Sequence, residues 1–420
     1  MNMQGSRKSF RKAITLRYAV ALYVSSVLGS GVLVLPGLTA KIAGPGSLVA
    51  WILLSLASYP FAYTFASLSA RRPESGGVYS FAKESLGHDV ASMTGWLFAA
   101  WYITGAPAVT LIAASYLAFA FPMSRLEVFI VAGLIIFAAF SINYKGIVVS
   151  NKVQLVVVVS IVALLLATVV ASFHSVSPNN FSPFLPNGLI PIGVSAALIF
   201  WSYLGYENVS NVAEEFENPT RDFHRSIMLS VVIVSALYIS VAFMTVGTLA
   251  YKAGGSVAPF AAILSNVLGV YGAPGTAILA VFIIFSTVNA YMTGMSRVIY
   301  STARDGGFPK YLARLDRRTG TPSRSLALLS GLALMVIAAF YFLNVDLETA
   351  LLIPSGAAII VYVIGSVAGI KLLKDARGGG ILPWISLAIS LAILPFVGVL
   401  LSVTLVFAVL GLIYSKIFQR

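Results

Sequence analysis

The chain has 420 residues, 59% of them apolar and only 10% charged, with 27 Lys and Arg against 14 Asp and Glu. Soluble domains carry about 25% charged residues, so these proportions exclude a soluble enzyme, a disordered scaffold and a nucleic-acid binder with a charged face. Cysteine is absent and the three histidines (His88, His174, His224) are scattered, which removes disulfides, thiolate metal sites and a histidine cluster.

A helix crosses the hydrocarbon core with about 20 apolar residues. Apolar stretches predict spans over 16–42, 47–70, 89–120, 127–143, 151–173, 190–213, 226–250, 271–303, 325–344, 348–371, 380–396 and 400–417. The expected fold class is therefore an all-α integral membrane protein of twelve transmembrane helices, with short connections and an N-terminal tail over 1–15. Arg7, Lys8, Arg11, Lys12 and Arg17 resemble the basic start of a secretory signal peptide. The apolar stretch they introduce is too long for that, and eleven more follow it. They read better as an orientation signal. With a cytoplasmic N-terminus, all 27 Lys and Arg except Lys41, Arg125 and Lys252 fall on the cytoplasmic side. This positive-inside bias predicts two cytoplasmic termini, in a multi-pass protein of the cell membrane.

Span 1 contains Val27-Leu28-Gly29-Ser30-Gly31, followed by Pro36. A small-residue packing face or a proline kink accounts for such residues. So does an unwound segment whose freed backbone groups face a ligand, a state tolerated at that depth only beside protein or a cavity. Span 6 carries a similar interruption, Trp201-Ser202-Tyr203-Leu204-Gly205-Tyr206-Glu207. Matching interruptions in corresponding positions of two halves point to a midplane site in an inverted-repeat transporter, and they favour the unwound reading. Of the fourteen acids, Glu207 alone lies at apolar depth, where an ionised carboxylate costs about 2.5–3.5 kcal/mol. It should be protonated or tightly hydrogen-bonded, either tying broken helix ends together or sensing and coupling protons.

Three loop motifs accompany these two. Pro73-Glu74-Ser75-Gly76-Gly77-Val78-Tyr79 follows span 2, and Glu217-Asn218-Pro219 with Arg221 follows span 6. Ser296-Arg297 through Asp305-Gly306-Gly307-Phe308-Pro309 closes span 8, ahead of Thr321-Pro322. In this order the five motifs resemble the signatures of the amino acid–polyamine–organocation superfamily. The compact length and the Ser26-Val27-Leu28-Gly29-Ser30-Gly31-Val32 opening are most similar to bacterial exporters of methionine and branched-chain amino acids.

The resemblance implies a LeuT-type fold: inverted repeats over 16–173 and 190–371, with 380–417 appended and helices 1 and 6 unwound at the midplane. It implies an alternating-access transporter of neutral or aliphatic amino acids, working by exchange or proton coupling. The alternatives are a cationic amino acid or polyamine antiporter, or sodium-coupled uptake. By similarity, the substrate carboxylate meets the Ser30 hydroxyl and the Gly31 N–H, and the ammonium meets carbonyls of Val27, Trp201 and Leu204. Trp201 covers the bound side chain; Tyr203 and Tyr206 are gate or pocket neighbours. Gly29, Ser202, Gly205 and Asn289 complete the expected site, and Glu207 is the proton-coupling residue.

Departures from relatives shape the rest. Ile161, beside Ser160, stands where some proton-coupled relatives carry a lysine. Ala106 replaces a polar residue, and Asn289 aligns with an aromatic of the arginine/agmatine antiporter, which argues for a neutral substrate. Ser286 and Thr287 are the candidate sodium ligands, although such hydroxyls more often bond a neighbouring helix. No filter motif of a channel and no catalytic motif of an intramembrane enzyme occurs. The expected partners are a small-molecule amino acid and the lipid bilayer, with no cofactor, no nucleic acid and no disulfide-linked subunit, in a monomer or weak homodimer.

Overall fold

A computed structural model describes residues 15–71, 77–146, 151–207, 219–252, 254–316, 318–374 and 380–418. Residues 1–14 of the expected tail over 1–15, the Pro73–Gly76 portion of the first loop motif and Glu217-Asn218 lie outside these residues. Among the described residues every regular element is helical. The sequence dictates this: buried in hydrocarbon, backbone N–H and C=O groups must bond within their own segment. Nine helical stretches among the described residues are long and apolar enough to cross a membrane.

In chain order the helices are α1 (Leu16–Val27), α2 (Gly31–Ala43), α3 (Ser47–Arg71), α4 (Val78–Leu86), α5 (His88–Ala120), α6 (Arg125–Tyr144) and α7 (Asn151–Ser172). There follow α8 (Ile190–Phe200), extended by a 3-10 turn over Trp201–Tyr203, then α9 (Pro219–Gly247), α10 (Pro259–Leu268) and α11 (Gly272–Arg304). The last are α12 (Ser323–Phe342), α13 (Leu347–Leu372), α14 (Leu382–Ile393) and α15 (Leu401–Phe418). The apolar stretch 16–42 is thus two helices, with Leu28–Ser30 between them. The stretch 190–213 is helical only to Tyr203, and its residues 208–213 lie outside the described ones. Two short helices, α4 and α10, occupy segments that apolar length could not single out. α4 buries Val78, Tyr79, Phe81 and Ala82 on one face, a pattern too short to register as a span.

α5 and α13 form the centre. α5 is buried over most of its length, and small residues let its neighbours approach: a Cβ on Gly95 would meet Thr302 of α11 at 2.8 Å. α13 is buried likewise, with Gly365 against Phe65 of α3. Such small-residue contacts replace the hydrophobic driving force that lipid removes between helices. The outer helices do the opposite. α6 exposes Leu126, Ile130, Leu134 and Phe137, one stripe at helical spacing that suits a lipid face. At one end of α6, Ser124 and Glu127 form a capping box, and the Arg125 guanidinium sits over the rings of Phe129 and Tyr341. At the other end of the bundle, Lys83 of α4 pairs with Asp305, just past α11, at 2.8 Å.

Candidate functional site

The interruption after α1 is built by its own residues. Leu28 leaves helical geometry at ψ 75°, and the Gly29 N–H turns back to the Val27 carbonyl at 2.7 Å. Ser30 then precedes α2 and accepts the Leu33 N–H on its carbonyl at 3.2 Å, at the end that carries the positive pole of the helix dipole. Gly31 has to be small, because a Cβ there would stand 2.5 Å from Ser202 Oγ and 3.2 Å from Ser202 Cα. The end of α8 breaks in step. The Leu204 N–H bonds the Trp201 carbonyl at 3.3 Å, Leu204 is extended, and Gly205 takes φ 126°, a backbone region glycine adopts without strain.

Three side chains tie these ends to the bundle. The Tyr238 hydroxyl of α9 lies 2.8 Å from the Val27 carbonyl and 3.0 Å from that of Ser202, so one phenol holds both interruptions. Glu207, buried, accepts the Gly205 N–H at 2.9 Å and the Tyr362 hydroxyl at 2.6 Å on the same oxygen, Oε2. Tyr203 meets Ser55 of α3 at 2.5 Å.

Beside the interruptions lies a cavity with about 530 Å3 of empty space, counting the space through which it opens. Val27, Gly29, Ser30 and Gly31 form one wall, and Trp201 and Leu204 another. Trp101, Tyr102, Gly105, Ala106 and Val109 of α5 face Thr287, Val288, Tyr291 and Met295 of α11. Among the described residues no charged side chain lines it. Trp201 Nε1 reaches Ser30 Oγ at 3.5 Å.

Of the residues expected at the site, Val27, Gly29, Ser30, Gly31, Trp201 and Leu204 line the cavity, together with Thr287. Ser202, Tyr203, Gly205 and Glu207 stand behind it. The Ser202 hydroxyl, buried against Gly31, has no hydrogen-bond partner among the described residues. Thr287 donates to the Ile283 carbonyl at 3.0 Å, and Ser286 is not a lining residue. Asn289 turns to α6 instead, where its Oδ1 accepts from Asn143 Nδ2 at 2.7 Å. The aromatic that α11 presents to the cavity is Tyr291. Two residues turn a helix by about 200°, enough to exchange the cavity for the opposite neighbour. Trp101, Tyr102 and Tyr291 were missed by sequence reasoning. They share helical stripes, 101, 102, 105, 106, 109 on α5 and 287, 288, 291, 295 on α11, but on helices apolar all round no sequence signal marks which stripe faces inward.

A multi-pass helical bundle with an uncharged cavity between two interrupted helices has the anatomy of a membrane transporter. The chain belongs to the amino acid permease family, whose profile matches residues 14–416; it is a transporter of the amino acid–polyamine–organocation superfamily and not an enzyme. It is 32% identical to the uncharacterized amino acid permease YecA of Bacillus subtilis (strain 168), over 97% of this chain and 96% of the relative. It is 28% identical to the L-methionine/branched-chain amino acid exporter YjeH of Escherichia coli (strain K12), over 87% of each. It is 27% identical to a methylthioribose transporter of Bacillus subtilis (strain 168), over 89% of this chain and 84% of the relative.

Proposed function

We propose that the protein carries neutral, apolar amino acids across the cell membrane by alternating access, through exchange or proton coupling. The observation that carries this reading is the cavity wall: among the described residues, aromatic, aliphatic and small side chains with no acid or base, set against the start of α2. A zwitterion needs a fixed site for its carboxylate and ammonium, and an uncharged wall for an uncharged side chain. Ser30 and the N-terminus of α2 suit the carboxylate, because exposed N–H groups and the helix dipole favour anions. Ser202, whose hydroxyl against Gly31 has no partner among the described residues, supports the same end of the site. The carbonyls of Val27, Trp201 and Leu204 suit the ammonium; at Val27 it shares the oxygen with Tyr238 or displaces that phenol. YjeH, named for methionine and branched-chain amino acids, agrees with an apolar side chain.

The architecture that goes with this reading has twelve spans, as inverted repeats over 16–173 and 190–371 plus a helix pair over 380–417. α1 with α2, and α8 with the residues after it, are the two unwound members. The distribution of Lys and Arg supports cytoplasmic termini. Glu207 is the proton-coupling residue in this reading, because it is the one acid at apolar depth and it holds the end of the second interruption.

A second reading draws on Tyr291. An aromatic from α11 on the cavity wall removes one ground for a neutral substrate, since a cation can stack on such a ring. A cationic amino acid or polyamine then becomes the cargo. Sodium-coupled uptake would enlist Thr287 and Ser286 with carbonyls of the first interruption. One experiment separates these readings: uptake of a panel of radiolabelled amino acids into proteoliposomes, with sodium, proton gradient and internal substrate varied separately. Flux of leucine or methionine that needs internal substrate or a proton gradient supports the first reading. Flux of arginine, or of a polyamine added to the panel, without leucine or methionine supports the second, and flux of none of these compounds refutes both.

A further inference from the structure

The indole of Trp201 lies in a slot with a glycine at each end. A Cβ on Gly105 of α5 would stand 2.7 Å from Cη2 and 3.5 Å from Cζ3 of Trp201, and 3.5 Å from Cβ of Pro354 in α13. At the other end, a Cβ on Gly31 would stand 3.1 Å from Cδ1 of the same ring. Trp101 meets the indole edge-to-face, with ring centroids 6.3 Å apart. Gly105 and Pro354 belong to two helices buried over most of their length, so α5 has little room to retreat from added bulk. A methyl group at position 105 must therefore move the indole, toward the cavity that both residues line or toward Ser30. Either movement shortens the space left for a substrate side chain.

We propose that Gly105 is a specificity-determining residue that sets the upper size of the transported side chain by fixing how far Trp201 withdraws from the cavity. The inference rests on the reading of an apolar amino acid as cargo and adds the position that decides which apolar amino acids fit. Because it acts through Trp201, it predicts a coupling between two residues that a local loss of volume would not produce.

The test compares affinities for glycine, alanine, valine, leucine and methionine in proteoliposomes bearing wild type, Gly105→Ala, Trp201→Phe and the double variant. One added methylene in a tight pocket discriminates by about tenfold or more. Gly105→Ala should lower the ratio of leucine to alanine affinity by at least about tenfold. Adding Trp201→Phe, whose ring lacks the atoms nearest position 105, should return most of that ratio. Should Gly105→Ala fail to fold, the double variant carries the test: recovery of both folding and leucine binding supports the proposal, and continued misfolding overturns it. An equal change for every substrate, or no recovery in the double variant, also overturns it while leaving the apolar amino acid reading intact. A wild type that carries none of the five refutes that reading, and this inference with it.

Discussion

The Tyr362 hydroxyl donates a 2.6 Å hydrogen bond to Oε2 of Glu207, and the Gly205 N–H donates to that same oxygen from 2.9 Å. A residue of α13, 155 positions along the chain, thus fixes the carboxyl that holds the backbone where α8 has ended. Phe61, Phe65 and Phe200 pack edge-on around the Tyr362 ring, which leaves the phenol little freedom to choose another acceptor.

Glu207→Gln keeps the shape and an acceptor for Tyr362 but removes titration. Replacing one acceptor by another of similar geometry changes stability by roughly 1 kcal/mol, so folding and substrate binding should persist within about tenfold. Transport should lose most of its pH dependence, read as initial uptake rates in proteoliposomes across a pH series. A wild-type pH profile in the variant would reduce Glu207 to a structural tie.

Gly31→Leu should weaken substrate binding by tenfold to a hundredfold while the protein still inserts. Overpacking of this kind costs about 1–3 kcal/mol, and part of the obstruction is the Ser202 backbone, 3.2 Å from the new Cβ, which no rotamer relieves. Scintillation-proximity binding on purified protein measures the effect; near-normal affinity would remove Ser30 and Gly31 from the carboxylate site.

Trp201→Ala should weaken large apolar substrates more than alanine or serine. Each substrate methylene left uncovered loses about 0.8 kcal/mol, so leucine and methionine should lose roughly fivefold to thirtyfold and alanine far less. Competition against one labelled substrate gives the series. Equal losses throughout would mean that Trp201 only supports the helix end.

Asp316, in the loop between α11 and α12, accepts from the Thr319 and Arg318 amides at 3.0 and 2.9 Å. These bonds favour the charged form, and they hold its carboxyl below the ordinary aspartate value of 3.8. A depressed value in the folded loop means that the turn is supported above 3.8 and loses that support as pH falls through the lowered value. Asp316→Ala should therefore speed hydrogen exchange of the Arg318 and Thr319 amides by roughly threefold or more at neutral pH. Exchange rates that match wild type would show that the turn holds without the carboxylate.

The identity of the class was written in the chain at the scale of whole segments. A bilayer acts on windows of about 20 residues, so composition and apolar stretches were enough to identify a multi-pass helical protein. Local signals carried further: Gly29-Ser30-Gly31 marked the gap between α1 and α2, and Gly205 the turn beyond Tyr203, because a backbone that leaves helical geometry needs small residues at that point. The ordered loop motifs pointed to the family. Six of the expected site residues, Val27, Gly29, Ser30, Gly31, Trp201 and Leu204, line the cavity for the same reason: they are close in sequence to the breaks.

What the tertiary structure decided is which face each helix turns inward. A helix such as α5, apolar all round and buried on nearly every side, has no polar stripe to reveal its rotation, so Trp101 and Gly105 gave no sign of meeting Trp201. On α11 the same ambiguity set Asn289 in the cavity, when the packing turns it to Asn143 and brings Tyr291 in. The hydroxyl of Tyr238 and that of Tyr362 reach partners 211 and 155 residues away, across helices that no local rule pairs. Hydropathy determines that a segment lies in the membrane; only close packing against particular neighbours fixes its rotation, and rotation decides which side chains a substrate meets.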